Sequence, residues 1–276
     1  MPGPDTISPQ QLSRLIGTAD APCLIDVRMD DDFAADPRLL PSARRRDYTR
    51  VADWAGEYDG CDVVVTCQKG LKLSQGVAAW LRQGGIRAET LDGGHLAWVE
   101  AGGVLVKDAT FPPRDAKGRT IWVTRARPKI DRIACPWLIR RFIDRDAIFL
   151  YVAASEVLAV AERFNATPFD IDNVFWSHRG ALCTFDVMLA EFGLQSAPLD
   201  RLATIVRGAD TDRLDLAPQA AGLLAASLGL SRMYRDDLAQ LDASMLLYDS
   251  FYRWCRDATG ETHNWPMPGS GNGGRA

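Results

Sequence analysis

Four consecutive β-branched residues, Val63-Val64-Val65-Thr66, run directly into Cys67, and a helical pattern begins a few residues later. The run Asp62–Thr66 reads as a buried strand, because branched side chains fit a pleated sheet. Leu73, Val77, Trp80 and Leu81 follow at i, i+4, i+7 and i+8, one apolar helical face that stops at Gly84-Gly85. Ile86–Leu91 then reads as a second strand and Asp92-Gly93-Gly94 as a turn. Strand, helix and strand in this order require a parallel α/β sheet, since parallel neighbours need a crossover between them. Upstream, Ser8–Ile16 and Val51–Tyr58 carry helical spacing, and Cys23–Val27 is a further short buried strand.

The chemistry sits where the strand ends. Open α/β sheets place their sites at the carboxyl ends of the strands, which is where Cys67 falls. In the loop Cys67-Gln68-Lys69-Gly70-Leu71-Lys72, backbone N–H groups can converge on the sulfur, and the helix that follows adds its partial positive charge. Lys69 and Lys72 add full charges. All of these favour a thiolate over a thiol, and the same donors would hold an anionic sulfur compound or persulfide. The alternative is a buried cysteine at a strand end. Gly70 suits the tight curl of the loop.

VVVTCQKGLKLSQGVAAWLRQGG followed by LDGGHLAW resembles the carboxyl half of a rhodanese domain, and LIDVR at 24–28 resembles its first-half motif. The resemblance implies a rhodanese-like sulfurtransferase domain in which Cys67 carries sulfur as a persulfide. It implies a small anionic donor such as thiosulfate and a thiol or cyanide acceptor, the thiol belonging to a small molecule or a thioredoxin-like protein. Positions 68–72 (Gln68, Lys69, Gly70, Leu71, Lys72) would be the substrate cradle, and no cofactor is required for sulfur transfer. Related phosphatases close a longer loop with arginine; here Leu73 stands next, so no fork clamps a phosphate. The family's Gly-His-Ile-x-Gly-Ala turn is replaced by Arg38-Leu39-Leu40-Pro41-Ser42-Ala43. Asp26 and Arg28 either support the loop or form a structural ion pair, and His95 is read as a packing residue rather than a base.

Pro, Gly and charge are dense in 108–120, which reads as a linker between a 6–107 domain and a second domain at 121–260. The second domain opens with strands near Thr120–Thr124 and Ala147–Val152, and Leu199 to about Asp257 is almost wholly helical. The expected class is therefore α+β, mostly helical at its carboxyl end, with a disordered tail at 261–276. In Lys129–Ile143, Pro136 requires a helix that starts there or kinks there, with Asp131 a candidate cap. This stretch and SHRGALCTFDVMLAEFGL at 177–194 resemble the carboxy-terminal domain of ChrB-type chromate-resistance proteins, which implies a link to chromate tolerance and supplies no mechanism. Polar candidates here are Asp131, Arg132, His178, Arg179, Cys183 and Asp210. His178, Cys183 and the two aspartates are ligand types for a metal, whose identity stays unknown, but their spacing means that only the fold could assemble a site. Arg132 and Arg179 are candidates for holding an oxyanion such as chromate. The aromatic, Met-rich segment from Met245 to Cys255 reads as core or dimer interface.

At 276 residues the chain has room for two cores. Six cysteines without a CxxC pair argue against a zinc ribbon or a disulfide framework. There is no basic, apolar leader and no apolar run near the ~20 residues that span a bilayer, so a cytoplasmic location without membrane contact is expected. Net charge is −4, yet residues 114–145 hold 10 basic and 3 acidic side chains. Such a stretch is a solvated face or an anion or DNA surface; no helix-turn-helix spacing accompanies it, and DNA is not the favoured partner. Three functions compete in this order: a sulfurtransferase linked to chromate resistance, a chromate-responsive transcriptional regulator with a non-catalytic rhodanese module, and a metal-dependent carboxy-terminal domain.

Overall fold

A computed structural model describes residues 5–262, so the tail expected to be disordered lies outside the described residues from 263 onward. The first half contains β1 (Thr6–Ile7), α1 (Pro9–Leu15), β2 (Cys23–Asp26), α2 (Asp30–Ala35), β3 (Arg38–Leu39) and β4 (Arg44–Arg45). It continues with α3 (Val51–Trp54), β5 (Asp62–Thr66), α4 (Lys72–Gln83), β6 (Arg87–Leu91), α5 (Gly94–Glu100) and β7 (Val106–Lys107). Five strands form an all-parallel sheet in the order β1-β6-β5-β2-β4. Ser8 starts α1 with a capping box: its hydroxyl accepts from Gln11 N–H while the Gln11 side chain accepts from Ser8 N–H.

Alternation along β5 decides what covers the sheet. Val63 and Val65 face a core with Ile25, Trp54, Val77 and Leu81, so α3 and α4 lie on that side. Val64 and Leu24 face the opposite way, into a core shared with Leu12, Trp98 and the aromatic centre of the second half. Burial on both faces explains why β2 and β5 read as continuous apolar runs.

The second half contains β8 (Ile121–Arg125), α6 (Asp131–Leu138), β9 (Ile148–Val152), α7 (Val157–Phe164), β10 (Thr167–Pro168), α8 (Thr184–Phe192), α9 (Ala197–Asp210), α10 (Gln219–Met233) and α11 (Asp237–Arg253). Its three strands are parallel in the order β10-β8-β9. α7 covers one face through Val157, and the helices pack on the other around Trp122, Trp137 and Phe185. In the Met245–Cys255 segment Met245, Tyr248, Tyr252 and Cys255 are buried in this core, whereas Leu246 is exposed. No described helix is long and apolar enough to cross a membrane.

Pro136 falls inside α6 rather than at its start. Proline cannot donate to the carbonyl four residues back, that of Arg132. The Tyr151 hydroxyl donates to that carbonyl instead, at 2.9 Å. A π-helical turn, Ile139–Ile143, follows. The expected capping role of Asp131 needs correcting as well. Ile130 occupies the N-cap of α6 without a side-chain bond, and Asp131 serves a different helix.

The two halves meet over a wide front. Ser42 N–H donates to the Phe142 carbonyl at 2.6 Å, Arg44 pairs with the buried Asp144 at 3.2 Å, and Arg256 donates to the Ile16 carbonyl. Residues 108–120, read as a linker, hold a 3-10 turn at Asp108–Thr110 and an Arg114–Thr120 bridge, with the Phe111 ring 6.1 Å from that of Phe192.

Candidate functional site

Cys67 leaves the carboxyl end of β5 between two helices, and only 5% of it is exposed. Its Sγ lies 3.3 Å from Ser74 Oγ on the first turn of α4. Burial alone would push the thiol up. The Ser74 hydroxyl and the backbone N–H groups of Ser74, Lys69 and Leu71 more than offset it, so the thiol sits below its ordinary value of 9.0. The other perturbed cysteines move the opposite way under burial: Cys23 to about 12, Cys255 to about 11, and Cys135 and Cys183 are raised as well. The Cys67 thiol is therefore more acidic than an ordinary cysteine, and those four are less so.

The loop is held from below by the turn after β6. His95 N–H donates to the Cys67 carbonyl at 2.9 Å, and Leu96 N–H to the Gln68 carbonyl at 3.1 Å. This approach requires glycine. Gly70 and Gly94 both have left-handed backbones (φ 68° and 62°), and a Cβ on Gly94 would overlap the Cys67 carbonyl and the Gly70 nitrogen. Among the cradle positions, Lys69, Leu71 and Lys72 are exposed, Gly70 is buried, and Gln68 is half-buried with its Oε1 unpartnered.

Asp26 and Arg28 form a fully buried pair at 2.6 Å. Arg28 also donates to the carbonyls of Asp36 and Arg38, tying the segment after α2 to the sheet. Asp36, held well below the usual carboxylate range chiefly by Arg38, hydrogen-bonds to His95 Nε2 at 2.9 Å. His95 is fully buried, and burial lowers its pKa. These groups form a chain that reaches Cys67 only through backbone. A cleft of about 500 Å³ lined by Arg28, Arg45, Arg46 and Tyr48 opens at the carboxyl ends of β2 and β4.

A second polar cluster lies in the other half. His178 Nε2 is 3.2 Å from Asp210 Oδ2, 3.4 Å from Asp170 Oδ1 and 3.5 Å from Asp131 Oδ2. Asp131 is completely buried, and its Oδ2 accepts from the N–H groups of Thr184 and Phe185, where α8 begins. Asp170 Oδ1 accepts from the Thr184 hydroxyl at 2.8 Å, and its Oδ2 faces Arg132 at 3.4 Å and Arg125 at 3.7 Å. Hydrogen bonds to Asp131, Asp170 and Asp210 raise the His178 pKa, while burial raises that of Asp131.

Residues 122–255 match the family described as ChrB, C-terminal domain. This ChrB-type region contains the whole His178 cluster. Over 141 residues the chain is 36% identical to Protein ChrB of Cupriavidus metallidurans, which accounts for 51% of this chain and 42% of that protein. The match thus spans less than half the length of that relative. Solved structures similar to part of the chain include rhodanese-like proteins. A rhodanese-related protein of Thermoplasma volcanium is 19% identical at TM-score 0.33, covering 37% of this chain and 98% of its own. A rhodanese-like domain protein of Staphylococcus aureus is 23% identical at TM-score 0.31, covering 34% and 90%. A thiosulfate sulfurtransferase of Pseudomonas aeruginosa is 27% identical at TM-score 0.32, covering 38% and 19%.

Of the six polar candidates in the ChrB-type region, the fold gathers Asp131, His178 and Asp210, with Arg132 at the edge. Arg179 turns away to Glu191 and the Phe175 ring, so it does not join Arg132 around a common anion. Cys183 is buried as the N-cap of α8. Two residues escaped the sequence reading. Ser74 follows Cys67 by seven residues, and the helix start read near Leu73-Ser74 was its only signal. Asp170 sits in a loop without periodicity. The basic stretch at 114–145 is largely neutralised in place: Arg114 faces Asp144, Arg119 Asp115, Arg140 Asp242 and Arg141 Asp249, and Arg127 donates to the carbonyls of Ser231 and Tyr234.

Proposed function

We propose that the chain is a sulfurtransferase that works through a Cys67 persulfide. One observation carries this reading: Sγ is surrounded by the Ser74 hydroxyl and three backbone N–H donors that favour its thiolate although the side chain is buried. With thiosulfate as donor, the Cys67 thiolate attacks the outer sulfur. A Cys67 S–S bond forms, the S–S bond of thiosulfate breaks, and sulfite leaves with the electron pair. The terminal sulfur of the persulfide is again an anion, which the cradle N–H groups and the exposed Lys69 and Lys72 would stabilise. An acceptor thiolate then attacks that terminal sulfur, forms its own persulfide and releases the Cys67 thiolate. The ChrB-type region supports a role in chromate tolerance for this transfer.

Intact mass spectrometry after incubation with thiosulfate tests the reading. A one-sulfur adduct mapped to Cys67, absent from Cys67→Ala, is the expected result. An unmodified Cys67 in protein that remains folded would sink it.

A further inference from the structure

We infer that Asp131, Asp170 and His178 form a divalent-cation site in the ChrB-type region, built from other elements than the Cys67 loop. Each residue offers one ligand atom, and the three atoms lie within 4.8 Å of one another. Two of the three His178 contacts are longer than strong charge-assisted hydrogen bonds and match the spacing of a coordination shell. His178 Nε2 stands 3.4 Å from Asp170 Oδ1 and 3.5 Å from Asp131 Oδ2. Charge-assisted hydrogen bonds are shorter, about 2.7–2.9 Å. Tetrahedral ligands bound at 2.0–2.1 Å stand about 3.3–3.4 Å apart, close to the two separations from His178. A single ring N–H also cannot satisfy three carboxylates at once, and His178 faces Asp131, Asp170 and Asp210.

An independent observation points to a missing partner. Asp131 is completely buried, yet its Oδ1 has no hydrogen-bond partner. A buried carboxylate oxygen left in this way is costly unless a cation meets it.

The surrounding bonds prepare the ligands. The Thr184 and Phe185 N–H groups fix Asp131, the Thr184 hydroxyl fixes Asp170, and Arg132 and Arg125 bind the Asp170 oxygen that faces away from His178. Such outer contacts orient metal ligands. Two carboxylates and one imidazole, without thiolate, suit zinc, manganese or ferrous iron. His178 is 41% exposed, so the cation has an open side where water or a substrate can complete its shell.

Cobalt(II) is the probe, added to full-length protein stripped with a chelator. The expected result is one equivalent bound, with visible d–d bands, no sulfur-to-cobalt charge-transfer band and a Tm that rises with cobalt concentration. His178→Ala removes an exposed ligand and should weaken binding by about 100-fold or more while the metal-free Tm stays put. Asp170→Asn should do the same if the histidine variant folds poorly. Absence of uptake, uptake unchanged in both variants, or binding signalled only by thiolate charge transfer would overturn the assignment.

Discussion

Cys67 loses its proton more readily because of neighbours contributed by a loop and a helix start, and Ser74 is the one that a point mutation can remove cleanly. A hydrogen bond to a charged group contributes about 1.5–3 kcal/mol, and one pKa unit corresponds to about 1.4 kcal/mol. Ser74→Ala should therefore raise the Cys67 pKa. The wild-type thiol lies below 9.0, so its reactivity falls as pH drops through that lowered value. In the variant the same fall should occur at higher pH. The rate of iodoacetamide alkylation against pH reads this directly, and a superimposable profile would show that the hydroxyl does not hold the sulfur. Stability carries the same sign. The thiolate favours the folded state fully above the unfolded pKa, and that contribution is lost as pH falls through the lowered one.

The elements that carry Cys67 depend on one close crossing, where the turn before α5 lies under the loop before α4. Gly94→Ala places a methyl group against the Cys67 carbonyl in a left-handed backbone. The strain should cost about 1–3 kcal/mol. The displaced cradle should slow persulfide formation by about a hundredfold, because catalysis is sensitive to shifts of an ångström. Loss of stability without loss of rate, measured by thermal melts and single-turnover kinetics, would place the turn outside the site. This dependence also marks how far the sequence could be read. β5, α4 and the Cys67 loop were legible because valine alternation, helical spacing and turn glycines are local signals. Ser74 was not, since a serine at a helix start reads as ordinary polar residue or cap. The Asp131–Asp170–His178 cluster was half legible: the residue types stood out, but His178 and Asp131 are 47 positions apart in sequence and meet only through α6 and the start of α8. Pro136 suggested an interrupted helix because the compensating donor, Tyr151, sits on a different strand.

Across the whole molecule, the sequence suggests two units, and the packing joins them. Leu12, Leu24, Leu40 and Val64 belong to the same buried cluster as Trp122, Trp137, Phe142 and Tyr252. Asp144 is buried between the halves, where it accepts from Thr120 N–H and pairs with Arg44. Separating the halves would open that core to water and strand a buried carboxylate. Unfolding should accordingly be one cooperative event, with equal calorimetric and van't Hoff enthalpies. Leu40 tests this most sharply, because it is 1% exposed and lies in the first half beside Ser42, which bonds to Phe142. Leu40→Ala should cost about 2–5 kcal/mol. The loss should appear at the same temperature in two reporters, near-ultraviolet dichroism from the buried tryptophans of the second half and protection of the buried Cys23 from alkylation in the first. If the Cys23 reporter shifted while the tryptophan signal kept its wild-type midpoint, the halves would be folding independently and the shared core would contribute little to their union.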